Sequence, residues 1–128
     1  NKDYKAYPKH IISDDEGWAY LKLNDLEEKV VQTELSRTLN VAWYRNQSRN
    51  LNASLAIPYK LNDVWENMYP DFIFFQKTGD GKIIRSIVDP HGDWLGDSVA
   101  KLKGYVMYLK DHPDMFGSVL AVFIVILI

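Results

Sequence analysis

Asp71 opens the apolar run 72–75, and Asp89 closes the apolar run 83–89 one turn later. The five residues "KTGDG" between the two runs supply glycines that tolerate positive φ, so the segment reads as a β-hairpin. Antiparallel pairing across that turn brings both carboxylates to one end of the hairpin. Left alone they repel, and one titrates high; a hard divalent cation such as Mg²⁺ or Mn²⁺ removes the repulsion by taking oxygens from both. Such an ion activates a water and offsets the charge that builds on a phosphodiester during hydrolysis. His91, two residues beyond Asp89, points the same way if the strand runs on through Pro90, and there it could orient water, move a proton or hold a phosphate. Taken singly, Asp71 after Pro70 is a strand-entry residue and Asp89-Pro90 a turn initiator. Their joint placement points to a metal site.

More acids lie on the helix expected over 26–39, which Asn24 or Asp25 can cap. Leu26, Val30, Val31, Leu35 and Leu39 form one broad face of it, and Glu27 and Glu34 fall near the middle of that face. A long Glu can snorkel to water, but two on one apolar face suggest a metal or other cation nearby. The run Trp43, Tyr44, Arg45, Asn46 and Arg49 mixes aromatic, amide and guanidinium groups, which suits phosphate contact and base stacking. Trp43 and Tyr44 fit equally well as core. His10 and His112 have no neighbouring ligand at metal spacing and read as surface residues. Asp93 and Asp97 read as loop-shaping and helix-capping groups.

The elements that must position these groups follow from the pattern. "KHIISDDEGWAYLKL" gives a short strand, a turn and an extended approach to the first helix. "VAWYRN" and "SLAIPYKL" read as strands, followed by the hairpin and a second helix over 97–110 with Val99, Leu102, Val106 and Leu109 as its apolar stripe. The ten apolar residues "VLAVFIVILI" are too few to cross about 30 Å of hydrocarbon as a helix, so they read as a buried strand and not as a membrane span. With 128 residues, 47% of them hydrophobic and 25% charged, the chain is expected to be one globular domain, an α/β sandwich around a mixed sheet. A net charge of −2 means that any nucleic-acid contact comes from a local patch. The absence of cysteine excludes a thiolate metal site and a cysteine nucleophile, and fits a cytoplasmic setting. The start "NKDYKAYPKH" has no apolar signal core and reads as a stretch from within a longer chain.

The order of an acidic helix, Asp71 after Pro70, a hairpin, Asp89, and a helix with Lys101 and Tyr105 one turn apart resembles the PD-(D/E)XK nuclease superfamily. More closely, "LNDLEEKVVQTEL", "VAWYRN", "YPDFIFF" and "SIVDPHGDWLGDSVAKLKGY" resemble the C-terminal region of DEAD/DEAH-box helicases related to the restriction subunit of type III restriction enzymes. The likeness covers residues 9–116. It implies a three-layer α/β/α restriction-endonuclease-like core with a central mixed sheet, residues 1–128 forming a single nuclease-like domain at the C-terminus of a longer helicase-containing protein. It further implies that Asp71 and Asp89 ligate Mg²⁺ or Mn²⁺ with the Pro90 carbonyl, and that Glu27, or second Glu34, is the helical glutamate. Lys101 and Tyr105 would line the site. His91 stands where the superfamily has lysine. The expected function is therefore metal-dependent DNA endonuclease in a restriction or phage-defence helicase, the alternative a catalytically decayed DNA-binding or interaction module of the same fold. Expected partners are DNA, bound through Arg45, Asn46 and Arg49, an ATP-dependent helicase domain in the same parent chain, and a modification subunit. Nothing in the chain resembles a phosphate-binding Gly-Lys-Ser/Thr loop, so an ATPase would lie elsewhere in that parent. A small hydrolase of another kind has no serine, cysteine or histidine constellation to support it.

Overall fold

The computed structural model describes residues 3–47, 52–91, 97–113 and 116–123, with residue 91 and residues 116–123 as backbone only. Their order is β1 (Lys5–Pro8), β2 (Trp18–Leu21), α1 (Asp25–Leu35), β3 (Asn40–Arg45), β4 (Ile57–Leu61), β5 (Val64–Met68), β6 (Phe72–Lys77), β7 (Ile83–His91), α2 (Ser98–Asp111) and β8 (Phe116–Phe123). The fold is mixed α/β. Strands β3, β6, β7 and β8 form a four-stranded sheet in the order β3-β6-β7-β8. The β3-β6 and β6-β7 pairs are antiparallel, and β8 runs parallel to β7 after the α2 crossover. Two antiparallel ribbons, β1-β2 and β4-β5, flank the sheet. Among the described residues, no helix is long and apolar enough to cross a membrane.

Alternation along β7 sends Val88 and Ile87 to opposite faces of the sheet, and each face has its own core. Val88 joins Trp43, Phe72, Phe74, Tyr7 and Val31, with Val30 and Leu35 of α1 packed against them. Ile87 joins Ile57, Tyr59, Met68 and Tyr105, with Ala100, Tyr108 and Leu109 of α2 packed against these. The edge of β3 is covered by residues before the β1-β2 turn: the Ile11 N–H donates to the Trp43 carbonyl at 2.9 Å, and the Trp43 N–H to the Lys9 carbonyl at 3.1 Å. An edge so paired offers no template to another chain.

Helix α1 begins with a full capping box, in which Asn24 Oδ1 accepts the Glu27 N–H at 2.8 Å and Glu27 Oε1 accepts the Asn24 N–H at 2.9 Å. It ends at Leu35, four residues short of the expected 39. The Ser36 N–H closes the last turn on the Gln32 carbonyl, and Asn40 Nδ2 takes the Glu34 carbonyl at 2.6 Å. Leu39 is left 60% exposed, outside the apolar face to which the pattern assigned it. Strand β5, which has no counterpart among the strands expected from the sequence, pairs with β4 as a hairpin. Its turn is Asn62-Asp63, both at positive φ (50° and 63°), a conformation that these residue types tolerate.

Helix α2 faces the core differently from its pattern. Val99 (61%), Leu102 (37%) and Val106 (51%) of the expected stripe are exposed, and the helix docks instead through Ser98, Gly104 and Tyr105. Gly104 is the reason. A Cβ there would stand 2.7 Å from Tyr59 Cβ and 2.9 Å from the Pro58 carbonyl oxygen, so only glycine lets the helix lie this close to β4. Gly104→Ala is expected to cost roughly 1–3 kcal/mol by overpacking, despite alanine's higher helix propensity, as read by urea unfolding. Stability equal to or above the parent's would mean that α2 does not sit at this distance.

Candidate functional site

The register pairs Phe72 with Val88, and so sets Asp71 beside Asp89 at one end of the hairpin. Asp89 is 2% exposed. Its Oδ1 lies 3.3 Å from the Asp71 N–H, and its Oδ2 accepts the Tyr105 hydroxyl at 2.6 Å. Burial, then the charge of Asp89, holds the Tyr105 phenol far above its usual range, so it stays a donor. Helix α2 thus reaches the hairpin acids through Tyr105.

Helix α1 reaches them through Arg45. Strand β3 alternates, so Arg45 shares a face with fully buried Trp43 and points toward α1. Its Nη2 lies 2.8 Å from Glu27 Oε2, and its Nη1 lies 2.9 Å from Asp71 Oδ1. The second contact is off the hydrogen-bond direction and acts as an ion pair. The guanidinium also covers the Phe72 ring at 5.1 Å. The partner of the buried glutamate is therefore a guanidinium of the chain itself. Burial is the main cause that pushes Asp71 up to about 6, Arg45 opposing it and Asp89 and Glu27 adding to it.

The other expected residues are placed as follows. Glu34 is buried like Glu27 but set two helical turns away, roughly 10 Å by helical rise, and pairs with Arg37 at 3.1 Å. Lys101 turns its ammonium to Asp97 at 3.3 Å and over the Tyr59 ring at 5.8 Å. Asp97 holds the N-cap position of α2 without a side-chain cap bond. Pro90 is buried within β7, opposite Val122 of β8. The backbone of His91 ends β7; its side chain, with Arg49 and Asp93, lies outside what the structure describes.

Two residues differ from their sequence reading. Asn46 is buried and clamps a backbone, its Nδ2 donating to the Leu55 carbonyl at 2.9 Å and its Oδ1 accepting the Leu55 N–H at 2.8 Å. Both ends of that amide are taken up by the fold and not turned toward DNA. His10 is not a surface residue: it is 7% exposed and packs edge-on against Trp43 with ring centres 4.9 Å apart. Its Nε2 accepts the Arg45 N–H at 2.9 Å, which leaves the ring proton on Nδ1, 3.0 Å from the Ile12 carbonyl. Burial lowers its pKa, in keeping with a neutral ring. His112 is partly buried, with Nδ1 2.9 Å from the Tyr108 carbonyl.

A family model matches residues 8–125. The chain belongs to the YagJ family. It is 33% identical over 117 residues to Protein YagJ of Escherichia coli (strain K12), a match that takes in 91% of this chain and 48% of that protein. The chain thus spans about half the length of this curated relative. No solved structure matches it. The family name states no activity, so the chemistry of this YagJ-family chain has to be argued from its residues.

For a divalent ion the donor types are right, since Asp71, Asp89 and Glu27 offer only oxygens. Among the described residues, no group of three or more acidic or histidine side chains is arranged to hold a metal by itself. Loss of Arg45 would leave Glu27 and Asp71 without their cation. Arg45→Met is expected to lose on the order of 3 kcal/mol in the metal-free protein, measured by chemical denaturation. Asp71→Asn should behave in the opposite way. A carboxyl raised from its unfolded value near 4 to about 6 favours the fold while protonated, and that contribution is lost as pH rises through 6. Allowing for the solvent that still reaches Asp71, the stability of Asp71→Asn relative to the parent should therefore rise by roughly 1–2 kcal/mol between pH 4 and pH 7. A flat difference across that range would show that Asp71 is not held in a desolvated setting.

Proposed function

We propose that this YagJ-family chain is a nuclease-like domain that hydrolyses phosphodiester bonds of DNA with Mg²⁺ or Mn²⁺. The observation that supports this best is the meeting of Glu27, Asp71, Asp89 and Tyr105, from both helices, strand β7 and the entry to β6, at one end of the sheet. Helices α1 and α2 lie against opposite faces of a mixed four-stranded sheet, an arrangement compatible with a three-layer restriction-endonuclease-like core. In this reading Asp71 and Asp89 hold the ion, with the Pro90 carbonyl as a further donor. When bound, such an ion would supply Lewis acidity toward water and phosphate. Tyr105 fixes the orientation of Asp89, and Glu27 positions Arg45 against Asp71. His91, just past Asp89 in the chain, is the candidate for moving a proton. Helicase and modification partners, a restriction or phage-defence role and a cytoplasmic location come with the resemblance. They concern the longer protein that the resemblance implies.

Arg45 favours a second reading. A guanidinium already bridging two of the acids supplies the positive charge that a metal would bring, as expected of a nucleic-acid-binding module that kept the fold without the chemistry. One experiment separates the two. With Mg²⁺ or Mn²⁺ present, nicking of plasmid DNA should be lost in Asp89→Ala and should fall on the order of 10²–10⁴-fold in His91→Ala, while DNA binding survives in both. A parent protein that binds DNA but never cuts it, methylated or not, with ATP and either ion, would hand the assignment to the binding module.

A further inference from the structure

Beside Arg45 a cleft of about 390 Å³ opens between the β1-β2 ribbon and the end of β3, lined among others by His10, Trp18, Tyr20, Tyr44, Arg45 and Gln47. Its size is within the roughly 300–1,000 Å³ of small-molecule sites. Two of its walls are fixed. Tyr44 donates its hydroxyl to the Ala53 carbonyl at 2.6 Å, and His10 is held by Arg45 and packed 5.5 Å from the Tyr44 ring. The other wall is less covered: Trp18 and Tyr20 project from the same side of β2, 40% and 59% exposed, while Ala19 between them is buried. Large rings left partly in water gain most from a flat partner that covers them.

Charge narrows the ligand. The guanidinium of Arg45 is divided between Glu27 and Asp71, and Asp14, also in the lining, accepts the Glu16 and Trp18 N–H groups through Oδ1 at 2.9 Å each. The described lining therefore favours a neutral planar ring over a phosphate. Arg45 also belongs to the acid cluster, so a ring in the cleft is one side chain away from Asp71. We propose that the cleft takes one unpaired nucleobase of a single strand, stacked on Trp18 and Tyr20, with the adjoining backbone directed to the acid cluster. This rests on the reading of nucleic acid as substrate, and names its form: an unpaired strand instead of a closed duplex.

The test is binding without cleavage, by fluorescence anisotropy of a labelled single-stranded oligodeoxynucleotide in EDTA. The parent should bind the strand more tightly than the matching duplex. Trp18→Ala should weaken binding roughly 5- to 100-fold, the range for loss of one stacked base, and Tyr20→Ala should weaken it in the same direction. A strand of abasic sites should bind the parent and Trp18→Ala equally weakly, because the lost interaction is the same one. Circular dichroism checks that both variants are folded; should one fail, the other carries the test. Parent-like binding by a folded variant, or a duplex bound as tightly as the strand, overturns the proposal. So does adenosine monophosphate competing as well as an unlabelled strand, which would make the occupant a free nucleotide. Stacking by a parent that never cuts DNA supports the cleft and removes the nuclease reading, whereas cutting that is indifferent to Trp18→Ala does the reverse.

Discussion

The guanidinium of Arg45, 2.8 Å from Glu27 and 2.9 Å from Asp71, ties the first helix to the central sheet across a region where bare carboxylates would repel. Buried charge is tolerated only when paired, and this single cation pairs two acids from different elements. The capping box of α1 fixes Glu27, since the carboxylate that meets Arg45 through Oε2 also closes the helix N-terminus through Oε1. On β3, the backbone of Arg45 is held by buried His10, and on the next strand Phe72 lies under its guanidinium. Helix start, edge segment and hairpin entry all converge on one residue.

The second helix is joined to the same place by a different force. Its approach to β4 depends on the missing side chain of Gly104, and that approach brings the Tyr105 hydroxyl to Asp89. The hydrogen bond is short and buried, and it satisfies an acid that water barely reaches. The two sheet faces thus meet chemically at the hairpin end, although their apolar cores are separate. A cluster built this way is both a structural tie and a candidate reaction centre. The same ion pairs that stabilise the fold set the charge that a phosphate or a metal ion would encounter.

The segment between β1 and β2 gives the site its surroundings. By pairing with Trp43 it closes the sheet edge, and it contributes His10 and Asp14 to a cleft whose outer wall is Trp18 and Tyr20. Edge protection and ligand-sized space have one cause here, because a segment that covers an edge strand also walls off the volume next to it.

Much of this was legible in the sequence. Apolar runs on either side of a glycine turn place Asp71 and Asp89 together whatever surrounds them, because register in a short hairpin is local. The α1 face carrying Glu27 and Glu34 likewise follows from spacing, whereas the choice of Asn24 over Asp25 as the cap needed the structure. What could not be read locally was the partner of each polar group. Arg45 was legible as a basic residue near aromatics, but Glu27 and Asp71 lie 18 and 26 residues away in the chain. Only packing selects it as their counter-ion. The same holds for His10 and Asn46, whose polar types suggest a surface until the fold surrounds them with acceptors and donors. Helix α2 shows the limit most clearly: periodicity marks Val99, Leu102 and Val106 as its inward stripe, yet the close contact at Gly104 turns that stripe to solvent. Hydrophobic spacing gives a helix its faces; the shape of the surface it meets decides which of them is buried.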